Sequence, residues 1–411
     1  MHQLCLYVSS CWQSSGQHPL ERRSDGITIV QPGDCEIRRR LTPTEKILGS
    51  HAELCPSGEC VWASAISVKD KLLYVSQPLR DRLLVIDTRT QRVLEAVKTD
   101  AMPVKVFYDK SHDQIFVLSW RHRLRRHSTL QVNHTGMHKL QVITSASSLE
   151  KHQIVHTPFQ SVRGFYIPPT NLIITHVRFG FVFLKREAAV HKIDLETLQP
   201  VKTISLLDHS CVPTSMAYTH LSGYYLIECQ PRNHSSSSWQ LLIDGMSDSV
   251  IGRNPNINGK PFVSPNGRFV VSVDEKQGKL YTQRVSFLGE LQLHHETDLY
   301  VAVADLEFHP SITDANQYTV VVTSTEDSQL VFMDLFSGET KFLESVKEPI
   351  DASSWHWGSG NRVVKSSGIF GRYLVTPALE SVFILDGEQK GVRCEISGIR
   401  KGNTVVWVGE V

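Results

Sequence analysis

One unit recurs along this chain and constrains its fold more than any other feature. It is an apolar run, a polar turn, a second apolar run often ending in Asp, a tight turn and a third run. The clearest copy is Leu72-Leu73-Tyr74-Val75-Ser76, then Arg82-Leu83-Leu84-Val85-Ile86-Asp87-Thr88, then Arg92-Val93-Leu94-Glu95-Ala96-Val97. Short β-branched and aromatic runs bounded by Gly, Pro, Asn, Asp and Ser read as strands, and no stretch sustains a helical period. The first run returns at residues 114–118, 171–175, 224–227, 268–272, 318–322 and 372–376, which makes seven copies roughly 42 to 57 residues apart. The second returns at 191–195, 240–244, 330–334 and 382–386. That spacing is close to the length of a four-stranded propeller blade.

A small sheet with two apolar faces cannot bury both alone. Stacking such sheets around an axis buries both and leaves only short edges. The expectation is an all-β, seven-bladed β-propeller over residues 61–411, preceded by a short irregular segment at 1–60. That segment is polar and turn-rich, with Pro32-Gly33-Asp34 and Arg38-Arg39-Arg40, and reads as a linker. The ring must close, and either residues 61–68 or the last run, 404–408, completes the shared blade.

Lys plus Arg (43) nearly balances Asp plus Glu (42), so no overall field favours nucleic acid. No apolar run is long enough for a membrane-spanning helix. Eight cysteines form no C-x-x-C knuckle. Two sequons, at Asn133 and Asn233, join them in pointing to an oxidising, extracellular setting. Residues 1–11 lack a basic n-region and a clean apolar h-region, so they are read as the alternative or truncated start of a longer secreted protein.

Cys211 and Cys229 flank a strand hairpin and are expected to form a disulfide. Cys60 and Cys394 flank the first and last blades and would pin the ring, with Cys35 and Cys55 competing as partners. Arg121, Arg123, Arg125 and Arg126 form a basic, convertase-like loop that also suits heparan sulfate. His294-His295 reads as a solvated turn. The tryptophans read as packing anchors, with Trp355-His356-Trp357 as the place for a partner surface. No G-x-S-x-G elbow or zinc-binding His pair occurs, so no catalytic, cofactor or metal residue is assigned.

Several strings resemble the C-terminal region of the long follistatin-related proteins. They are Tyr108-Asp109-Lys110-Ser111-His112-Asp113-Gln114, Arg178-Phe179-Gly180-Phe181, His191-Lys192-Ile193-Asp194-Leu195-Glu196-Thr197 and Asn403-Thr404-Val405-Val406-Trp407-Val408-Gly409. The repeats themselves resemble YVTN-type propellers. The follistatin-related resemblance covers the chain from Asp25 onward, and residues 25–60 would be the connector after an immunoglobulin domain. Leu130-Gln131-Val132 recurs as Leu140-Gln141-Val142, as though ten residues had been inserted. The family's follistatin-type module, EF-hands and immunoglobulin domains are not in this sequence, so its calcium binding does not transfer. The resemblance implies a non-enzymatic, extracellular protein-binding module. Its partner would be a secreted ligand or receptor ectodomain, in growth-factor signalling of the TGF-β/BMP kind and cell differentiation. The alternatives are a lactonase-like hydrolase working at the axial channel and a heparan-sulfate or matrix adhesion element.

Overall fold

The computed structural model describes residues 4–9, 26–56, 60–120, 138–230, 238–254, 256–314, 316–351, 361–368 and 371–409. Among them the chain is all β apart from helical turns at Pro78–Arg80 and Leu207–His209. The repeats form a β-propeller. Seven sheets are built from four consecutive strands each, spanning residues 65–98, 103–160, 162–205, 212–253, 260–298, 303–343 and 365–397, here blades 1 to 7. Each blade is an antiparallel meander, and the first strands of successive blades contact one another around the axis. The sequence marks the second and third strands most strongly because they are flanked on both edges. In blade 1 these are Leu72–Gln77 and Arg82–Asp87, both almost wholly buried.

An eighth four-stranded sheet closes the ring, one more than the seven that the repeats announce. Its inner strand is Gly402–Val408, against which Leu4–Ser9 pairs antiparallel, Leu4 opposite Val408 and Val8 opposite Thr404. Ile27–Gln31 and Glu36–Leu41 complete it outward. The last run of the chain, not residues 61–68, therefore supplies the shared blade. The expectation of an irregular segment at 1–60 is corrected by the same observation. Ile27, Ile29 and Leu41 are core residues, packed with Val406, Val408 and blade 1's Leu73 and Leu84. No local periodicity announces these strands, because their partner lies at the far end of the chain. A second correction concerns residues 171–175. The side chain of Asn171 accepts the main-chain N–H groups of Ile173 (2.9 Å) and Ile174 (2.8 Å), which turns the chain. Leu172 is left 91% exposed, and the second strand of blade 3 is Phe179–Leu184.

The core follows the ring. Eight apolar clusters lie between neighbouring sheets, such as Phe116 and Leu118 of blade 2 against Phe165 and Val182 of blade 3. At roughly 25 cal/mol per Å² of buried apolar surface, these interfaces are the main favourable contribution to folding. The repeated terminal Asp has a physical role. Asp87, Asp194, Asp244, Asp334 and Asp386 end third strands, and each carboxylate accepts N–H groups two and three residues on, at 2.8–3.5 Å. Each one caps the turn into the outer strand. The N–H of Thr197, above all, holds the Asp194 carboxyl below the usual carboxylate range.

Among the described residues, three disulfides staple the ring. Cys211–Cys229 joins the entry to the first strand of blade 4, Val212–Thr219, to its second strand, with Cα atoms 4.8 Å apart. Cys394 pairs with Cys35 and Cys60 with Cys55, which corrects the expected Cys60–Cys394 link. The reason lies in the closing sheet. Its outer turn carries Cys35 to the outer strand of blade 7, Gly391–Ser397, whereas Cys60 precedes blade 1 on its far side. Cys35–Cys394 spans a sequence separation of 359, at the upper end of what loop-closure entropy provides, about 5 kcal/mol. We therefore expect Cys394→Ser to lower Tm by about 5 °C in calorimetry and to leave Cys35, not Cys60, open to alkylation. A free Cys60 in that variant would contradict this pairing.

Candidate functional site: the two faces of the ring

Because every blade repeats the same meander, all inner strands run in one direction and begin at the same mouth of the axial channel. Charged side chains collect at those beginnings. They include Lys105 in Pro103–Asp109, Arg163 in Val162–Tyr166, Lys260 in Lys260–Val263, Asp305 and Glu307 in Val303–Pro310, and Lys365 in Lys365–Ser366. Lys365 Nζ lies 3.0 Å from Glu307 Oε2 and 3.6 Å from Asp305 Oδ2. Burial opposes the charge on Lys365, but Asp305 and Glu307 outweigh it and raise its pKa. Burial raises the Glu307 carboxyl, against the pull of Lys365. Arg163 donates to Gln230 Oε1 at 2.6 Å. Glu228 accepts from the hydroxyls of Thr214 (2.6 Å) and Ser215 (3.0 Å).

Lys105 is the outlier. Water reaches its side chain, yet protein surrounds it, as expected of a group standing in a channel. Burial first, and Lys260 second, hold its ammonium down to about 8, with Asp305 opposing and Lys365 adding to the effect. Those neighbours sit on blades 5, 6 and 7, so Lys105 looks across the axis from blade 2. Beside the same mouth, a cleft of about 330 Å³ is lined by Asp100, Ala101, Ser119, Trp120, Lys139 and Gln160.

The opposite face is different. It carries the turns between first and second strands and between third and fourth strands, and most of the fully exposed apolar side chains lie there. Leu172 is 91% exposed, Met246 95%, Phe287 107% and Leu288 86%; Tyr300, on the charged side, is the exception at 83%. The turns that hold them touch. Asn171 reaches His220 Nδ1 (3.3 Å) and the Pro265 carbonyl (3.5 Å), and the Gly245 N–H donates to Gly223 O at 2.8 Å. At Gly289, φ is +81° and a Cβ would lie 3.2 Å from the backbone of Ser222, so the blade 5 turn fits closely over that of blade 4. One apolar patch thus runs over blades 3 to 5. Sequence reasoning missed it because Leu172 and Ile173 read as strand and the other residues are scattered.

Other expected positions fall as follows. His294 and His295 lie in the outer strand Leu291–Asp298, not in a turn, and their Nε2 atoms sit 2.9 and 3.1 Å from Phe336 O. Trp62 is wholly buried, and Trp407 Nε1 donates to Lys365 O at 3.0 Å. Arg121, Arg123, Arg125, Arg126, Asn133, Asn233, Trp355, His356 and Trp357 lie outside the described residues. Among the described residues, no group of three His, Cys, Asp or Glu could hold a metal ion. Tyr74, His152 and Glu95 form a hydrogen-bonded relay (2.7 and 2.8 Å) between blades 1 and 2. Burial, with Glu95 next, raises the pKa of the Tyr74 phenol.

No family model matches the chain. Its architecture does recur among solved propellers. The dihydro-haem d1 dehydrogenase NirN in complex with DHE aligns with a TM-score of 0.61 over 98% of this chain and 74% of that one, at 12% identity. AztD of Citrobacter koseri aligns with a TM-score of 0.62 over 100% of this chain and 99% of that one, at 11% identity. The propeller domain of Myceliophteria thermophila Cps50 (Swd1) follows with a TM-score of 0.52, 79% and 96% coverage and 13% identity. At such identities the likeness is one of fold. The chain is a β-propeller. Three disulfides, and no helix among the described residues long and apolar enough to cross a membrane, are compatible with an extracellular or periplasmic location.

His309, at the apolar-face end of blade 6's inner strand, makes this face sensitive to acid. It is 2% exposed, its Nδ1 lies 3.0 Å from Ser366 Oγ, and a Cβ on Gly387 would come within 1.9 Å of its Nε2. Burial lowers its pKa to about 4, against Glu388 and Asp386. A histidine depressed in the folded state contributes stability that is complete above pH 6.5 and lost as pH falls towards 4. His309→Gln should remove about 2–3 kcal/mol of the stability change between those limits in urea titrations. An unchanged pH slope would contradict this reading.

Proposed function

We propose that this chain is a secreted, disulfide-closed propeller that acts as a non-enzymatic protein-binding module. This is the role its resemblance to the C-terminal region of the long follistatin-related proteins implies. The observation that carries the reading is the apolar patch of Leu172, Ile173, Leu221, Met246, Phe287 and Leu288 on one face of the ring. Soluble monomers rarely leave so many large apolar groups at neighbouring turn tips, and such patches mark contact surfaces. A stapled ring also holds them in place before binding, which limits the ordering cost of association. The three disulfides and the two sequons favour an oxidising compartment, hence a secreted ligand or receptor ectodomain as partner. The partner class is a TGF-β/BMP-type or other secreted growth factor, with heparan sulfate as the alternative through the basic run at 121–126.

The test uses protein purified from mammalian culture medium and a panel of purified TGF-β/BMP-superfamily ligands, read by surface plasmon resonance. Saturable binding of at least one ligand is expected, and Phe287→Asp with Leu288→Asp should weaken it at least about 10-fold without changing Tm. Binding that ignores both substitutions would remove the patch from the account. No binding in the panel, with salt-sensitive retention on heparin or with turnover of lactones, would replace the reading by the adhesion or hydrolase alternative.

A further inference from the structure

We propose that the charged mouth of the axial channel is a binding site for a small anion bearing carboxylate or phosphate oxygens, held between the ammonium groups of Lys105 and Lys260. The short sequence Lys-x-Phe occurs on two inner strands, as Lys105-Val106-Phe107 in blade 2 and Lys260-Pro261-Phe262 in blade 5. In a strand, residues two apart share a face, so each lysine lies over its own phenyl ring. Lys105 Nζ is 5.3 Å from the Phe107 ring centre, and Lys260 Nζ is 4.8 Å from that of Phe262. A ring face steadies an ammonium while leaving its N–H donors free for a ligand.

The carboxylates at this mouth are already engaged. Asp305 and Glu307 are paired with Lys365, and Glu228 takes the hydroxyls of Thr214 and Ser215. Lys260 also acts on Glu275, whose carboxyl is raised by burial and by Glu228, the attraction of Lys260 notwithstanding. Among the described residues, neither Lys105 nor Lys260 has a carboxylate within 4.0 Å, nor any hydrogen-bond acceptor. Lys105 and Lys260 repel each other, and Lys365 adds to that repulsion at Lys105. Asp305, already paired with Lys365, offsets only part of this at Lys105, and an anion between the two lysines, one surrounded by protein yet wet and the other exposed, would relieve the repulsion and accept their donors. Two compact ammonium groups suit oxyanions as point charges, without the fork geometry an arginine would impose.

The experiment is isothermal titration of the full chain with inorganic phosphate and, separately, with citrate. At least one should bind saturably in the millimolar range or tighter. Lys105→Gln and Lys260→Gln should each weaken it about 10-fold or more, and the double variant should abolish it. Preference for phosphate would point to a phosphorylated ligand, and preference for citrate to a carboxylate one. The same anion should also protect Lys105 from acetylation, mapped by mass spectrometry on wild-type protein, so that the test does not depend on any variant folding. No heat with either anion, binding that survives in the double variant, or acetylation of Lys105 indifferent to a bound anion would each overturn the proposal. The apolar-face substitutions are outside this site, so this inference and the protein-binding reading fail independently.

Discussion

The antiparallel pairing of Leu4–Ser9 with Gly402–Val408 is the interaction on which the rest of the ring depends. A propeller made from one chain has two ends, and a ring cut at a blade boundary would expose two apolar sheet faces and an unpaired edge. Here the first and last segments build one sheet between them, and the cut disappears. The clusters on either side of that sheet show what closure buries. Ile27, Ile29 and Val406 face blade 1, while Val30 and Val405 face Val375 and Ile384 of blade 7. The Cys35–Cys394 bridge fastens the same sheet to blade 7 at the rim, so non-covalent pairing at the axis and a covalent link outside act on the same joint.

Once the ring is closed, the two faces are free to differ. Inner-strand beginnings converge on the axis, where water remains and unlike charges can be held together at modest desolvation cost. Turn tips diverge on the other face, where large apolar side chains can be displayed without disturbing a core. Two polar clusters inside the wall are held by dense hydrogen bonding. The Arg362 guanidinium is wholly buried, donates to the carbonyls of Val346 and Lys347, and is lowered to about 10 by burial. Between blades 4 and 5, Gln240, Asn254 and Gln283 exchange side-chain amide hydrogen bonds of 2.8–3.0 Å. Both arrangements fix the spacing of neighbouring blades, and through it the geometry of the two faces.

Much of the architecture is legible in the sequence because second and third strands are buried on both faces and end in a turn-capping Asp. Short edge strands carry no such signature. Lys365–Ser366 is an inner strand of two residues, and Ile27–Gln31 looks like an isolated apolar run until its partner is found at the other terminus. Asn171-Leu172-Ile173-Ile174 carries strand residues, but the Asn side chain captures its own backbone and makes a turn. Disulfide partners were legible within a hairpin, at Cys211 and Cys229, and not across the ring, where spacing says nothing. The channel lysines were invisible one at a time. The signal that could have found them is the repetition of Lys-x-Phe at equivalent strand positions in two blades.

The closed ring is the central claim, and a non-reducing peptide map of the protein tests it most directly. The account predicts one linked species joining the Cys35 and Cys394 peptides, together with a Cys55–Cys60 loop. A peptide joining Cys60 to Cys394, or Cys35 and Cys394 recovered as free thiols, would mean that the N-terminal strands do not complete the last blade as described.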